Sequence, residues 1–328
     1  MFNLSTAYWR SCCIYTAAKL GIPDLLAAGA RNAAVIAGHT GCNADAVYRL
    51  MRALASMGVF QENEEDGFEL TPVGATLTSY HPDSMRAWVL SMLGERFIPW
   101  GELQYSVRTG RPSFEYVHQA PVWQYYNEHP QLHENFIRAM ESHTRPVIRN
   151  VLAAFDFSCF PVIADIGGGN GALLCAVLES APGSRGILFD QPGVIAAASK
   201  RIAGLAAGKR CTLEPGSFFD ALPGGADCYI MKNILHDWHD AEAVQILENC
   251  RRAMHNSSRL LLLEAVIPGR NSPHPGKLMD INMLVVQGGR ERTEEEFSRL
   301  ALAAGLQHAG TRHTGSPECS IIELVKAT

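Results

Sequence analysis

The sequence contains no run of about 18 consecutive apolar residues, the length that a membrane-spanning helix needs, so we expect no such span. No basic leader precedes an apolar core in Met1–Leu20, and we therefore expect no signal peptide. The nine cysteines form no C-x-x-C pair and their number is odd, which favours reduced thiols in the cytoplasm. Repeats and low-complexity segments are also lacking.

Positive charge is not in excess either. Lys and Arg number 28 against 33 Asp and Glu, and the net charge of −5 argues against a dedicated nucleic-acid-binding protein. The 328 residues, 47% of them hydrophobic and 19% charged, have the composition of a globular protein long enough for two domains. A predicted helix over 130–155 precedes the boundary that we place near residue 157, which gives domains at 1–157 and 158–328.

The first domain is predicted to be helical, with a winged-helix pattern near its start. The expected elements are a helical region at 4–30, helices at 33–40 and 44–57 with Asn43 as a cap, and a hairpin of 58–60 with 67–71. This pattern makes a transcription factor one alternative. Its recognition helix would offer only Arg49 and Arg52 to DNA beside an apolar stripe, so we favour packing and dimerisation.

Aromatic residues are frequent over 80–150, and Trp123 is one of them. Many must be core residues, but aromatic faces also stack on aromatic rings. Some of these side chains are therefore candidates for a pocket that holds a flat aromatic substrate.

The second domain alternates between strands and helices. Strands are expected near 162–166, 186–190, 211–215, 227–232, 259–266, 306–312 and 319–325, with helices near 171–180, 192–206, 241–255 and 293–304. Only the short loop Thr314–Pro317 separates the last two strands, so we expect them to be antiparallel. The pattern predicts an α/β fold with a Rossmann-like, mostly parallel sheet.

A glycine turn follows the first of these strands. Asp165 ends the apolar run, and Gly167, Gly169 and Gly171 give G-x-G-x-G rather than the G-x-G-x-x-G of dinucleotide sites. An acid at this point suits the ammonium group of S-adenosylmethionine, although a turn without a ligand has the same sequence. Asp190 ends the next strand, where a carboxylate binds both ribose hydroxyls of a nucleoside. A nicotinamide nucleotide and S-adenosylmethionine share that need.

His236 is the candidate general base. It follows the fourth predicted strand, at the end of the sheet where ligands bind. An ordinary pKa near 6.5 would leave it neutral and able to take the proton of a phenol. Glu264, after an all-leucine strand, and Glu291 are candidates to orient its ring, as the acid of a triad does. A metal held by His236, Asp237, His239 and Asp240 is the alternative. Thr293 and Glu296 have the spacing of a capping box and fix the end of the Glu291 loop.

Taken together, these segments resemble the S-adenosylmethionine-dependent O-methyltransferases of the caffeate, acetylserotonin and carminomycin type. The resemblance spans nearly the whole chain and includes Leu20–Leu26, Leu70–Gly74, Asp165–Gly171, Asp190–Pro192, Phe218–Phe219, Leu235–Trp238 and Gly288–Thr293. It implies a homodimer formed through the first domain, a small aromatic acceptor from bacterial natural-product chemistry, and no nucleic-acid or membrane partner.

The resemblance also implies site residues. Together with the arguments from the residues themselves, it assigns catalysis to His236, Glu264, Glu291 and Asp237, cofactor binding to Asp165, Gly167, Gly169, Asp190, Gln191, Ser217, Phe218 and Lys232, and acceptor binding to Met140, Trp123, Asn282 and Met283, with no metal. Ser217 departs from the family, which often has Asp there to contact the adenine amine. A diverged member that hydroxylates, decarboxylates, cyclises or N-methylates is the alternative activity.

Overall fold

The computed structural model describes residues 1–29, 31–64 and 67–327. The chain forms two compact units. The helical unit contains Met1–Glu102 and Tyr116–Arg145, and the sheet unit contains Leu103–Glu115 and the chain from Pro146 onward. The functional boundary predicted at residue 157 stays a prediction. Within the described ranges, the helices are all too short or too polar to cross a bilayer.

The first 154 residues are mainly short helices with one small hairpin. In chain order they are α1 Phe2–Ser5, α2 Ala7–Lys19, α3 Ile22–Ala27, α4 Ala33–Thr40, α5 Ala44–Ser56, β1 Phe60–Glu62, β2 Phe68–Leu70, α6 Pro72–Ala75, α7 Arg86–Met92, α8 Phe97–Gly101, α9 Leu103–Thr109, α10 Ser113–His118, α11 Val122–Glu128 and α12 Pro130–Ala154. Strands β1 and β2 are antiparallel, so the predicted helix–helix–hairpin order is confirmed.

The helix α5 begins where the sequence indicates. The Asn43 side chain accepts a hydrogen bond from the Ala46 amide at 3.0 Å, which caps the helix. Its apolar stripe is buried at Val47, Met51 and Leu54. On the outer face, the guanidinium of Arg52 lies 5.4 Å from the ring centre of Tyr48. The helix therefore uses its apolar side for the core of the helical unit.

The rest of the chain alternates between strands and helices. The elements are β3 Val162–Ile166, α13 Ala172–Ser180, β4 Arg185–Asp190, α14 Pro192–Ile202, β5 Cys211–Pro215, β6 Cys228–Lys232, α15 Asp240–Ala253, β7 Arg259–Glu264, α16 Gly276–Val286, α17 Glu294–Ala303, β8 Leu306–Ser316 and β9 Cys319–Lys326. Their order in the sheet is β5-β4-β3-β6-β7-β9-β8, and only β9 runs against its neighbours. Leu260–Leu263 of β7 are fully buried, as expected for a sheet covered on both faces.

Two differences from the prediction concern the C-terminal third. Helix α16 was not predicted, and it carries Asn282 and Met283. Strand β8 extends to Ser316 with register shifts, so Thr314–Ser316 belong to the strand and the connection is shorter than expected. Thr293 and Glu296 form the predicted capping box at the start of α17.

The order of the strands places the site. Successive strands extend the sheet in one direction from β3 to β5 and in the opposite direction from β6 onward, so the order of the strands reverses between the parallel neighbours β3 and β6. Ligands of open α/β sheets bind beyond the carboxyl ends of the strands at such a switch point. Asp165 lies near the end of β3, and Lys232 is the last residue of β6.

Candidate active site

The glycine loop after β3 exposes bare backbone at the switch point. Gly167 and Gly169 have φ values of +68° and +59°, which favour glycine. A Cβ atom on Gly167 would lie 2.5 Å from Ile234 Cδ1 and 3.7 Å from Phe218 Cε1. The Gly167 amide donates to the Phe189 carbonyl at 2.8 Å, which fixes the loop against β4. Side chains are therefore excluded where the loop meets these two neighbours.

Asp190 holds the same loop with both carboxylate oxygens. Oδ2 accepts from the Gly169 amide at 2.8 Å, and Oδ1 accepts from the Gln191 amide at 2.7 Å. Burial raises the pKa of the carboxyl, and the two amides oppose that rise. Each oxygen keeps a lone pair for a further donor, as a pair of ribose hydroxyls requires.

Asp165 lies beneath the loop. It is 1% exposed, and a Cβ on Gly168 would come within 2.7 Å of its Oδ2 atom. Burial raises the pKa of this carboxyl to about 7, opposed by the charge of Lys232. Among the described residues Oδ2 has no hydrogen-bond partner. A negative charge on Asp165 would therefore be stabilised by a cation bound at the loop.

Three more predicted cofactor residues lie around this loop or beside it in the sheet. The Ser217 hydroxyl accepts from the Phe219 amide at 3.2 Å, and the Phe218 ring lies edge-on to Trp238, with ring centres 5.9 Å apart. Burial lowers the pKa of Lys232, opposed by nearby acids that include Glu264 and Asp165. The structure thus brings Phe218 to the glycine loop and couples Lys232 to Asp165.

The imidazole of His236 has a carboxylate at each nitrogen. Its Nδ1 atom lies 2.9 Å from Glu291 Oε1 and 3.9 Å from Glu264 Oε2, while Nε2 lies 3.4 Å from Asp237 Oδ1. The ring is 13% exposed and Glu291 is 1% exposed. The contact with Glu291 favours a proton on Nδ1 and leaves Nε2 as the nitrogen able to exchange one with a substrate.

These carboxylates change the charge state of His236. Burial by itself lowers the pKa of the ring, but the charges of Asp237 and Glu264 and the hydrogen bond to Glu291 outweigh it and raise the pKa to about 10. In these surroundings the imidazolium is favoured at pH 7. The expectation of an ordinary pKa near 6.5 is therefore wrong, because it did not include the charges of these three carboxylates, whose distances from the ring are set by the fold.

Glu264 makes stronger contacts with the backbone than with the ring. Its Oε1 atom accepts from the Ile234 and Leu235 amides at 3.0 and 2.9 Å. Burial raises the pKa of Glu264 to about 7, opposed by the positive charge of His236. Glu264 thus fixes the start of the short 3₁₀ turn Leu235–Asp237, and Glu291 is the direct partner of the ring.

A metal site would use a different set from the predicted alternative. In the part of the chain that the structure describes, ligand atoms of His236, Glu264 and Glu291 lie within 4.8 Å of one another. Asp240 does not join them, because its Oδ1 accepts from Arg292 at 2.8 Å. The Oε1 atom of Glu264 accepts from two amides and the Oε1 atom of Glu291 contacts His236, whereas among the described residues the Oε2 atoms of both are buried without a hydrogen-bond partner.

The predicted acceptor residues fall in different units. Asn282 and Met283 lie on α16 of the sheet unit, where Met283 is buried. In the helical unit, Trp123 is 45% exposed and packs edge-on against Phe136, with ring centres 5.8 Å apart, and Met140 is half-buried on α12.

Three polar residues of this site were missed from the sequence. Arg292 is buried beside the His236 turn, Asp280 accepts from the Glu291 amide at 3.0 Å, and Gln287 donates to Asp237 Oδ1 at 2.8 Å. In the segment Gly288–Thr293 the sequence indicated Glu291 as a site residue and Thr293 as a helix cap, but it did not indicate Arg292. The available signal for Arg292 was its charge beside that acid, which Arg290 shares.

Comparison with known proteins identifies the family. A model of the O-methyltransferase domain matches residues 100–307, and one of the O-methyltransferase dimerisation domain matches residues 2–80. The phenazine O-methyltransferase PhzM of Lysobacter antibioticus is 41% identical over 93% of this chain and 89% of its own.

Solved structures that resemble this chain belong to the same class of methyltransferase. The O-methyltransferase NcsB1 from neocarzinostatin biosynthesis, in complex with S-adenosylmethionine and 2-hydroxy-5-methyl naphthoic acid, has a TM-score of 0.83 and 33% identity over 96% of this chain and 95% of its own. Human N-acetylserotonin methyltransferase in complex with S-adenosylmethionine has a TM-score of 0.91 and 27% identity over 99% and 96% of the two chains. This chain therefore belongs to the S-adenosylmethionine-dependent O-methyltransferase family and is a methyltransferase.

Proposed function

We propose that the protein methylates a hydroxyl group of a small aromatic natural product, with His236 as the general base. The named relatives support an aromatic acceptor, since one acts on a phenazine and another binds a naphthoic acid. The observation that carries the role of His236 is its 2.9 Å contact with Glu291, which fixes the ring beyond the carboxyl end of β6.

The residues present fit S-adenosylmethionine. Gly167 and Gly169 allow a close approach of the backbone, and Asp190 has the paired oxygens that a ribose needs. The buried, unpaired Oδ2 atom of Asp165 suits the cationic end of the ligand. We propose that Gln191, Ser217, Phe218 and Lys232 complete this site. The cofactor supplies an electrophilic methyl group on a positively charged sulfonium.

His236 must be neutral at Nε2 before it takes a proton from the acceptor. A cation near an imidazolium lowers its pKa, because the two positive charges repel each other. His236 therefore gives up its proton more readily in a loaded site than in the surroundings that raise its pKa to about 10. Glu291 then stabilises the imidazolium that forms when Nε2 accepts the hydroxyl proton. Asp237, 3.4 Å from Nε2, is placed to receive that nitrogen's hydrogen bond afterwards.

By the resemblance to the family, we propose that the acceptor contacts Met140, Trp123, Asn282 and Met283. We also propose that the functional domains are 1–157 and 158–328. We also propose a homodimer. The dimerisation-domain match supports it, as do the exposed apolar side chains on α1 and α2, which are Phe2, Leu4, Tyr8 and Trp9.

His236→Ala tests the base. A positioned general base contributes roughly 10²–10⁴ to the rate, so the variant should methylate a phenolic acceptor slower by that factor at pH 7. Methyl transfer is followed by mass spectrometry with labelled cofactor, and cofactor affinity by calorimetry. The matched control is His239→Ala, which removes an exposed histidine three residues away.

The wild-type protein must first methylate at least one compound of a phenolic panel, since a chain that methylates none lacks the proposed activity. A wild-type rate for His236→Ala would place the base elsewhere. Loss of cofactor binding in that variant would instead show that His236 belongs to the cofactor site.

A further inference from the structure

Among the fully buried side chains of the described residues, Arg292 is the largest by volume, and it is 1% exposed. A buried guanidinium is costly unless its donors are used. Nη1 donates to the Leu235 carbonyl and Nη2 to the Trp238 carbonyl, both at 2.8 Å. Nη2 and Nε also donate to Asp240 Oδ1, at 2.8 and 3.1 Å. One planar group thus binds the backbone on both sides of His236.

The turn that carries His236 depends on such contacts. It is a 3₁₀ turn of three residues, and Asn233 just before it has a φ of +53°, uncommon for a residue other than glycine. The carboxylate of Glu264 accepts from the amides of Ile234 and Leu235 at its start. Arg292 donates to the carbonyl of Leu235, the first residue of the turn, and to that of Trp238, which follows the turn.

The neighbours of Arg292 in the chain hold His236 itself. The Arg290 amide donates to the His236 carbonyl at 2.8 Å, and Glu291 contacts the ring. The segment is anchored from the other side, since the Ile267 amide donates to the Arg292 carbonyl at 3.0 Å. We propose that Arg292 is a positioning residue that fixes the His236 turn in register with Glu291. This inference deepens the proposed function and rests on His236 acting as the base.

Lysine cannot replace Arg292 in this role. A guanidinium presents donors in a rigid plane and reaches both carbonyls at once, whereas an ammonium is a single point on a flexible stem. Arg292→Lys therefore keeps the positive charge and loses the geometry. Three carboxylates surround the ring: Asp237 on its own turn, Glu264 from β7 and Glu291 from the loop. The ammonium group of Lys232 in β6 interacts electrostatically with Asp237 and Glu264. None of them changes in this variant.

The test compares Arg292→Lys, Arg292→Ala and the control Arg299→Ala, whose side chain is 73% exposed. A misplacement of about 1 Å costs on the order of 10²-fold in rate, so we expect kcat to fall roughly 10- to 100-fold in Arg292→Lys with KM and cofactor affinity nearly unchanged. Guanidinium ion added to Arg292→Ala should restore part of kcat. An NMR titration of the His236 ring should show a lower midpoint in Arg292→Lys, because the contact with Glu291 is weakened.

Wild-type kcat and an unchanged midpoint in Arg292→Lys would overturn the proposal, as would loss of cofactor binding without any change at His236. If the Arg292 variants do not fold, Asp240→Ala frees the same guanidinium from its exposed side and should give a smaller change in the same direction. An unchanged kcat and midpoint in that variant would then overturn it. The NMR comparison does not require an active enzyme, so failure of the proposed function is distinguishable from failure of this inference.

Discussion

Replacing Glu291 by Gln tests how the site controls the charge of His236. Gln keeps an oxygen that accepts from Nδ1 at the 2.9 Å contact, so the ring stays oriented while one negative charge is removed. A hydrogen bond to a charged group contributes about 1.5–3 kcal/mol and a neutral one about 0.5–1.5 kcal/mol, so the substitution removes about 1–1.5 kcal/mol. Because one pH unit corresponds to about 1.4 kcal/mol, His236 should titrate roughly 1 pH unit lower in the variant. Asp237 and Glu264 remain, so its pKa should still lie above that of an ordinary histidine.

The assay is the initial rate of methyl transfer at saturating cofactor and low acceptor, from about pH 6 to about pH 10. The rate should rise with pH as His236 loses its proton, so the rising limb of Glu291→Gln should lie at lower pH than that of the wild type. Above both limbs the variant should be slower, because a base of lower pKa is weaker. Glu295→Gln, an exposed change in the first turn of α17, serves as the control. A limb that stays in place or moves to higher pH would refute the reasoning.

Two further predictions concern other parts of the chain. Ser217→Asp should bind S-adenosylmethionine several-fold more tightly by calorimetry, because a hydrogen bond to a carboxylate contributes roughly 1 kcal/mol more than one to a hydroxyl. Equal or weaker binding would exclude an adenine contact at this position. Light scattering at micromolar concentration should show a dimer that Trp9→Asp weakens, since Trp9 is 52% exposed on α2; a monomeric wild type, or a salt-resistant footprint on DNA, would contradict the proposed role of the helical unit.

Much of the sheet unit is predictable because local chemistry repeats along it. The parallel strands β3, β4, β6 and β7 are short, largely buried runs, whereas β5 at the edge of the sheet has no buried residue. Gly167–Gly171 marks the switch point without any tertiary information. Helix α16 was not predicted because its sequence lacks such a local pattern. Leu278–Val286 is apolar on nearly all sides, so it has no clear period, and Pro273 and Pro275 before it suggest a loop.

The side chains at the ends of the strands were predictable as a set, but their division of labour was not. Asp165 lies one residue before the end of β3 and Asp190 ends β4, yet the first is buried beneath the glycine loop and the second accepts from the Gly169 amide of that loop. Glu264 and Glu291 were equivalent candidates for the ring of His236, and only one contacts it closely. Sequence position fixes which end of the sheet a carboxylate occupies. Whether its oxygens bind backbone amides or an imidazole depends on small differences in distance, here 3.9 Å against 2.9 Å from His236 Nδ1.

The pKa of His236 shows why this division matters for chemistry. An isolated histidine after β6 would be neutral at pH 7 and ready to accept a proton, which is the sequence-based expectation. Three carboxylates favour the imidazolium instead. In the proposed mechanism, a positive charge near the ring lowers that pKa again, and a methyl donor that is itself a cation would supply such a charge, whereas its product, which has lost the sulfonium charge, would not. The same acids that orient the proposed base would therefore also make its protonation state depend on the charge of the bound cofactor.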